Sequence, residues 1–249
     1  MTIRVIPCLD IEDGRVVKGT RFKQIRDAGD PAELAALYNS QGADEIIFLD
    51  IGATYRSRKI TVDVVRQVSN CVFIPLTVGG GIQSVEDMRT LLNAGADKIS
   101  VCSAALADPS FLTRGAEVFG SQCIVLSIDA KKAGERWRCY VKGGREDTGV
   151  DALEWAVEGE RLGAGEILLN SIDKDGTQSG YDIALIEAVS ERVNIPVIAS
   201  GGAGNLEQIA DAVRFGKADA VLIASLLHYK THSVEDIKQY LRTKGVRVR

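Results

Sequence analysis

Eight short apolar segments recur along the chain, and each is followed by a loop and a helix-like amphipathic segment. The predicted strands cover residues 4–9, 45–50, 73–78, 98–102, 123–128, 166–170, 196–199 and 220–224. Strict alternation of strands and helices predicts a parallel sheet. Eight such units in 249 residues match a closed (β/α)8 barrel, or TIM barrel, because an open doubly wound sheet of this length would contain fewer strands.

The chain also contains an internal repeat of about 120 residues. GADEIIFLDI at 42–51 resembles GAGEILLNSI at 163–172, and VGGGIQSVED at 78–87 resembles SGGAGNLEQI at 200–209. This spacing spans four strands and four helices, so it predicts a barrel built from two duplicated half-barrels, neither of which could cover its sheet edges alone. Because no linker or low-complexity segment interrupts the repeat, we expect residues 1–249 to form a single domain.

Charge and composition exclude several classes of function. The net charge is −4 without a basic run, which argues against a nucleic-acid-binding or membrane-binding surface. No apolar segment has the length of a membrane span, and no signal region precedes the first strand, so we expect a cytoplasmic protein. The five cysteines show no CxxC spacing and indicate reduced thiols. His228 and His232 are too few for a metal cluster, so we expect neither a metal nor a cofactor.

Two aspartates end predicted strands at equivalent positions of the repeat. Asp10 follows the first strand in IPCLD, and Asp129 follows the fifth in VLSID. In a barrel of this kind the carboxyl ends of the strands form the catalytic face, where facing carboxylates could act as general acid and general base. Either aspartate alone could instead cap a turn, but their equivalent positions favour catalysis. Asp50 also ends a strand, yet Ser171 matches it in the second half, so we expect a different role there.

Two glycine clusters lie between a predicted strand and the helix that follows it. They are VGGGI at 78–82 and SGGAG at 200–204, and a serine follows the next strand in VCSAA at 101–105 and in IASLL at 223–227. Glycines let backbone N–H groups approach an anion, and a helix N-terminus attracts negative charge. One cluster alone could merely permit a tight turn. The repeated pairing of glycines with a serine predicts a ligand with a phosphate at each end.

Two further features concern the ends of the barrel. Residues 11–30 read as a long irregular loop suited to a lid, in which Lys18 could bind an anionic substrate or be solvated. At the opposite end, charged residues begin several strands, namely Arg4, Glu45, Lys98 and Glu166. By side-chain alternation these charges either plug the barrel, with Arg4 reaching into the space beside Ala220, or are exposed at the strand starts.

Eight motifs occur in order along the chain: CLDIEDGRVVKGT, GDP, VGGGI, GADKIS, SIDAK, GAGEILLNSIDKDGT, GYD and IASGGAG. With them, the chain closely resembles the cyclase subunit of imidazole glycerol phosphate synthase, from histidine biosynthesis, over about residues 3 to 247. The resemblance implies that a glutaminase partner supplies ammonia. It also implies that ammonia adds to N′-(5′-phosphoribulosyl)formimino-aminoimidazole carboxamide ribonucleotide, giving imidazole glycerol phosphate and aminoimidazole carboxamide ribonucleotide.

The same resemblance assigns roles to individual residues. It implies catalysis by Asp10 and Asp129 and substrate contact by Lys18 of the loop. It implies one phosphate site at Gly81, Cys102 and Ser103 and another at Asp175, Gly176, Gly202, Ala224 and Ser225. It implies an ammonia gate at Arg4, Glu45, Lys98 and Glu166. We therefore expect the glutaminase to dock on the face at the strand N-termini, with Asp97 near the contact.

Two positions depart from the family pattern. Cys102 stands where an asparagine is usual, which removes an amide donor near one phosphate, and Gly52 stands in LDIGA where LDITA is usual. The alternatives are a paralogue that channels ammonia to a different acceptor, the isomerase of the same pathway, and a non-catalytic binding barrel. The PCLDIEDGRVVKGT motif and the layer of charges favour the cyclase over the isomerase. A binding barrel would leave the paired aspartates unexplained.

Overall fold

The computed structural model describes residues 2–20, 23–52 and 62–249, apart from the side chains of residues 18–20 and 23–26. The strands are β1 (Arg4–Glu12), β2 (Arg15–Thr20), β3 (Lys23–Gly29), β4 (Ile46–Asp50), β5 (Leu76–Gly79), β6 (Lys98–Val101), β7 (Ile124–Ala133), β8 (Arg136–Val141), β9 (Glu146–Asp151), β10 (Glu166–Ser171), β11 (Val197–Ser200) and β12 (Ala220–Ile223). Eight of them run parallel in the order β10-β11-β12-β1-β4-β5-β6-β7, and β7 pairs with β10. The pairing closes the sheet, which confirms the predicted (β/α)8 barrel.

Helices lie between the barrel strands and cover them on the outside. They are α1 (Pro31–Ser40), α2 (Val62–Ser69), α3 (Val85–Asn93), α4 (Ser103–Ala107), α5 (Ser110–Phe119), α6 (Ala152–Arg161), α7 (Ile183–Ser190), α8 (Leu206–Arg214), α9 (Ser225–His228) and α10 (Val234–Thr243). Short polar side chains cap several N-termini, as Ser84 does for α3 and Asn205 for α8. None of the helices within the described residues is long and apolar enough to cross a membrane.

Two antiparallel hairpins extend the barrel at the carboxyl ends of β1 and β7. β2 and β3 pair within residues 11–30, so the prediction of an irregular loop there was wrong. Val16 and Val17 are buried, and their packing favours a strand over a loop. β8 and β9 form a second hairpin on β7 that the sequence analysis did not predict. The two hairpins occupy corresponding places in the two halves, which supports the proposed duplication.

The predicted third strand, 73–78, begins later in the structure, at Leu76. Phe73 is exposed, and Pro75 has no N–H to donate, so these residues lead into the strand from outside the barrel. Inside the barrel an apolar layer occupies the middle. It consists of inward side chains that include Ile6, Ile47, Val125, Leu168 and Ile198. This layer separates the N-terminal ends of the strands, where Arg4, Glu45, Lys98 and Glu166 form the floor of the barrel, from their carboxyl ends.

Aspartates that directly precede or adjoin barrel strands hold the neighbouring strand in place. In each case the carboxylate accepts a hydrogen bond of 2.8 Å from the backbone N–H at the start of an adjacent strand: Val5 to Asp44, Leu76 to Asp97 and Val197 to Asp219. These bonds satisfy donors that the parallel ladder leaves open. The repeated Asp of the GAD and KAD segments therefore has a structural role.

A buried ion pair connects the last helix to this strand-capping network. Lys238 of α10 donates to Asp44 at 2.7 Å and to the carbonyl oxygen of Arg249 at 3.0 Å. Both side chains of the pair are less than a tenth exposed. Asp44 thus joins the start of β1 and helix α10 through one carboxylate.

We predict that Asp44→Asn lowers the free energy of unfolding by about 3–5 kcal/mol, because it leaves the Lys238 ammonium buried without its counter-charge. The amide still accepts a hydrogen bond from Val5. Urea denaturation at neutral pH measures the loss. The matched control is Glu207→Gln, which breaks an exposed pair with Lys244 and should barely move the midpoint. Equal shifts in the two variants would contradict the structural role of the buried pair.

Candidate active site

The carboxyl ends of the barrel strands surround a cavity of about 770 Å³. Its walls contain every residue predicted for catalysis or phosphate binding other than Lys18: Asp10, Gly81, Cys102, Ser103, Asp129, Asp175, Gly176, Gly202, Ala224 and Ser225. Lys18 lies on β2, and its side chain is outside the described part of the chain. The fold thus gathers residues from both halves of the sequence around one cavity.

Asp129 lies where β7 leaves the barrel, and Asn170 of β10 stands beside it. Asn170 Nδ2 donates to Asp129 Oδ1 at 3.0 Å, and Ser200 Oγ donates to Asn170 Oδ1 at 3.2 Å. Burial raises the pKa of Asp129 to about 6, against the opposing hydrogen bond from Asn170 and with the help of the nearby carboxylates. The side chain still borders the cavity. Asp129 is therefore suited to exchange a proton near neutral pH.

Asp10 lines the same cavity from the far side of the barrel. Three strands separate β1 from β7 in either direction around the sheet. The thiol of Cys8 lies below Asp10 on the same inward face and donates to Oδ1 at 3.3 Å. Two carboxyl groups thus face a common space from opposite strands, which is the arrangement that acid–base catalysis requires.

The glycine clusters bring the backbone close to the neighbouring loops at both ends of the cavity. Gly80 and Gly202 have φ values of 102° and 104°. A Cβ on Gly80 would lie 2.2 Å from the carbonyl oxygen of Asp50, and one on Gly202 would lie 2.2 Å from that of Gly180. Both positions therefore require glycine, because their conformation and their packing leave no room for a side chain.

The serines of the predicted phosphate sites also have matching surroundings. Ser103 begins α4 and Ser225 begins α9. The residues before them have similar backbone angles, with φ −129° and ψ −87° at Cys102 and φ −124° and ψ −69° at Ala224. The two helix starts therefore have similar backbone conformations in the two halves, and the phosphate sites there stay a prediction.

The two departures from the family pattern have local consequences. Burial, together with the negative charge of Asp129, raises the pKa of the Cys102 thiol, which is therefore neutral. Its sulfur makes no capping hydrogen bond to α4. Gly52 lies in a turn in which its N–H donates to Asp50 Oδ1 at 3.2 Å. Asp50 thus holds the chain after β4, which fits its lack of a carboxylate counterpart at Ser171.

At the other end of the barrel, the four predicted charges form a closed ring of ion pairs. Glu45 binds Arg4 at 2.7 Å and Lys98 at 2.9 Å, and Glu166 binds Lys98 at 2.9 Å and also binds Arg4. Burial alone would raise the pKa of Glu45, but Arg4 and Lys98 outweigh it and lower that pKa. Arg4 reaches this layer beside Ala220, its partner in the strand register. The charges plug the barrel floor, and the alternative of exposed strand starts does not hold.

Two residues near the ring, Thr77 and Ser100, were not predicted as site residues. Among the described residues, the Thr77 and Ser100 hydroxyls are buried without a hydrogen-bond partner. Asp97 is exposed on the floor side, where its carboxylate holds Leu76 as described above. It lies next in sequence to Lys98, so the fold places it at the rim of the floor.

Sequence reasoning missed several residues of the cavity wall, among them Asn170, Lys142 and Arg145. Asn170 could have been predicted, because it lies four residues after Glu166 and side-chain alternation puts both on the same inward face of the strand. Lys142 and Arg145 also line the cavity, from the turn between β8 and β9. They could not be placed while that hairpin was unrecognised. No group of three or more His, Cys, Asp or Glu side chains in the described ranges is arranged to hold a metal ion.

A closed barrel with ionisable side chains gathered at the carboxyl ends of its strands defines a (β/α)8-barrel enzyme. The chain belongs to the histidine biosynthesis protein family, whose sequence model matches residues 4–233. It is 59% identical over 246 residues to the imidazole glycerol phosphate synthase subunit HisF of two strains of Dehalococcoides mccartyi, with 99% of this chain and 97% of each relative covered. HisF of Endomicrobium trichonymphae is 58% identical over 248 residues, with coverage of 99% and 95%. The predicted resemblance is confirmed, and the name of these relatives describes a subunit of a larger synthase.

The raised pKa of Asp129 gives a prediction about stability. Because the pKa in the folded state, about 6, exceeds the unfolded value of about 3.9, the folded state binds more protons between these pH values, and stability falls as pH rises through them. Asp129→Asn removes the charge, so we expect it to raise the free energy of unfolding at pH 8 by about 1–3 kcal/mol and to change little at pH 4. Urea denaturation at the two pH values measures both.

Asp147→Asn serves as the control of opposite sign. The hydrogen bond from Gly149 N–H, supported by Arg138, lowers the pKa of Asp147. Removing that carboxylate should therefore slightly destabilise the protein at pH 8 and have less effect at low pH. If Asp129→Asn destabilises the protein equally at both pH values, the surroundings of Asp129 do not disfavour its ionised form.

Proposed function

We propose that this barrel is the cyclase of an imidazole glycerol phosphate synthase and acts as an ammonia-dependent lyase. It converts N′-(5′-phosphoribulosyl)formimino-aminoimidazole carboxamide ribonucleotide and ammonia into imidazole glycerol phosphate and aminoimidazole carboxamide ribonucleotide. The observation that carries the proposal is the pair Asp10 and Asp129 across one cavity, in a chain 59% identical to HisF proteins over 99% of its length. No resident metal or cofactor takes part.

The proposed chemistry consists of proton transfers at the two carboxyl groups. Asp10 accepts a proton from the nitrogen that ammonia brings to the substrate. Asp129, with its pKa near 6, donates a proton to the nitrogen that leaves with aminoimidazole carboxamide ribonucleotide. Asn170 supports this role, because its amide holds one oxygen of Asp129 at 3.0 Å and leaves the other for the substrate.

The predicted phosphate sites orient the substrate between these carboxyl groups. One phosphate binds at Gly81, Cys102 and Ser103, and the other binds at Asp175, Gly176, Gly202, Ala224 and Ser225. The cavity of about 770 Å³ lies within the range of about 300–1,000 Å³ that small-molecule sites occupy. Anchoring a long substrate at both ends fixes its reacting centre over the barrel axis, where Asp10 and Asp129 face each other. Lys18, on the hairpin after β1, is the residue proposed to contact the anionic substrate from the hairpin.

We predict that Asp10→Asn and Asp129→Asn each lower ammonium-dependent turnover by about 10²–10⁴-fold, because the amide keeps the shape but cannot exchange a proton at neutral pH. The assay follows loss of the formimino substrate, and circular dichroism checks the fold. Asp63→Asn, on the exposed surface of α2, is the control and should retain turnover. Turnover within a few fold of the unmodified chain in either active-site variant would reduce that aspartate to a structural cap.

A glutaminase partner is the source of ammonia in this proposal. It docks on the strand N-terminal face, with Asp97 near the contact, and ammonia enters through the ring of Arg4, Glu45, Lys98 and Glu166. The buried hydroxyls of Thr77 and Ser100 support a path for ammonia, because each can form a hydrogen bond to an ammonia molecule inside the barrel. A paralogue with another acceptor and the pathway isomerase are the rival functions. The isomerase does not explain a guarded floor together with the HisF similarity, and the assay with the formimino substrate separates the cyclase from the paralogue.

Lys98→Ala separates a gate from a purely structural ring. Breaking the buried ion pairs costs about 3–5 kcal/mol. If about a third of this free energy were added to the barrier for ammonia passage, the rate of passage would fall about tenfold. With a cognate glutaminase bound, we therefore expect glutamine-dependent turnover to fall about tenfold or more. Turnover with added ammonium should fall much less, since dissolved ammonia enters from the open side.

The control for this comparison is Lys217→Ala, which removes a lysine from an exposed pair with Glu191. It should leave both activities unchanged. If Lys98→Ala lowers both activities equally, or lowers neither, the ring is structural and the gate assignment fails.

A further inference from the structure

In the part of the cavity wall that the structure describes, acidic side chains outnumber basic ones. Among the lining residues that the structure describes, the acids are Asp10, Asp50, Asp108, Asp129, Glu146 and Asp175, and the bases are Lys142 and Arg145. A substrate with two phosphates would be repelled by this set unless a cation lay close to one of them. Both described cations lie in the turn between β8 and β9.

The backbone of that turn is unusual and folds Arg145 back on itself. Lys142, Gly143 and Gly144 have φ values of 55°, 65° and 73°. Arg145 Nη1 donates to the carbonyl oxygen of Lys142 at 2.9 Å. A Cβ on Gly143 would lie 2.8 Å from that same nitrogen. Gly143 thus leaves the space that the guanidinium occupies over the turn.

The tip of the hairpin contacts the predicted phosphate site at Ser103. Lys142 N donates to Ser103 Oγ at 3.3 Å, and the sulfur of Cys102 lies 4.0 Å from the carbonyl oxygen of Tyr140. Lys142 also pairs with Glu146 at 2.6 Å, which keeps that carboxylate engaged. The turn and its two cations therefore border the end of the cavity where the sequence lacks the usual amide.

The base of the hairpin is fastened at the opposite phosphate site. Lys132 N donates to Asp173 Oδ2 at 2.8 Å, and Trp137 Nε1 donates to Asp182 Oδ2 at 3.1 Å. Both acceptors belong to the segment after β10 that carries Asp175. The hairpin thus spans the cavity mouth from one predicted phosphate site to the other, and these two bonds fix the position of its tip.

We propose that Arg145 binds the substrate phosphate located at Ser103. This assignment rests on the two-phosphate substrate of the proposed function. A guanidinium carries five N–H donors in a planar fork whose spacing matches that of phosphate oxygens. Arg145 supplies the charged donor at the site where Cys102 replaces an amide. The hairpin is therefore part of the substrate site and not merely an extension of the barrel.

The test compares Arg145→Gln with Arg138→Gln, which removes the same charge from β8 where Arg138 pairs with Asp147 at 3.3 Å. In the ammonium assay, we expect Arg145→Gln to raise KM about 10–100-fold, the usual value of a hydrogen bond to a charged group, and to change kcat much less. Arg145→Lys should recover part of the loss. Arg138→Gln should leave KM near that of the unmodified chain. An unchanged KM in Arg145→Gln, or an equal rise in both glutamine variants, overturns the assignment.

A second measurement keeps this assignment separate from the proposed reaction. Crystals of the unmodified chain soaked in inorganic phosphate should show phosphate at both Ser103 and Ser225. In Arg145→Gln, the phosphate at Ser103 should be lost and that at Ser225 retained. Retention at Ser103 overturns the role of Arg145 even if the enzyme is active. If the phosphate at Ser103 is lost in Arg145→Gln while the unmodified chain shows no turnover with the formimino substrate, the result supports the role of Arg145 and contradicts the cyclase reaction instead.

Discussion

The rest of the structure depends on the ring of ion pairs that closes the barrel floor. Each glutamate in the ring contacts both Arg4 and Lys98, and the two glutamates are only 4% and 6% exposed. Charges buried in this way are tolerated because opposite charges satisfy each other at close range. A floor filled by paired charges leaves the opposite end of the barrel for the cavity. The polar ring also places hydrophilic groups on the barrel axis, where an ordinary barrel has apolar side chains.

The apolar layer above the ring sets the chemistry of the cavity. Inward side chains such as Ile6, Val125 and Leu168 form an apolar layer below Asp10 and Asp129. Burial is the largest cause of the raised pKa of Asp129, and Asn170 limits the rise through one hydrogen bond. The same fold that stabilises the chain therefore tunes the proton affinity of a carboxyl group. Parallel strands add the second requirement, since their carboxyl ends bring Asp10 and Asp129 to one face.

Much of this arrangement could be predicted from sequence because it follows from local periodicity. Strand alternation placed Arg4, Glu45, Lys98 and Glu166 at one end of the barrel, with an inward layer as one of two possibilities. The repeat placed Asp10 opposite Asp129. The β8–β9 hairpin could not be predicted in this way. Strand β9, EDTGVD, is mostly exposed, so no apolar alternation marks it, and its pairing with β8 alone makes it a strand. The contact of Asn170 with Asp129 likewise depends on the register between β7 and β10, which separate segments of the sequence do not reveal.

The most direct test of the account follows the fate of the ammonia nitrogen in the purified barrel alone. The chain is incubated with the formimino substrate and ¹⁵N-labelled ammonium, and both products are analysed by mass spectrometry. The account predicts that imidazole glycerol phosphate and aminoimidazole carboxamide ribonucleotide form in equal amounts, and that the label appears in the first and is absent from the second. Label in a different acceptor, or no consumption of substrate by the folded chain at saturating ammonium, would contradict it.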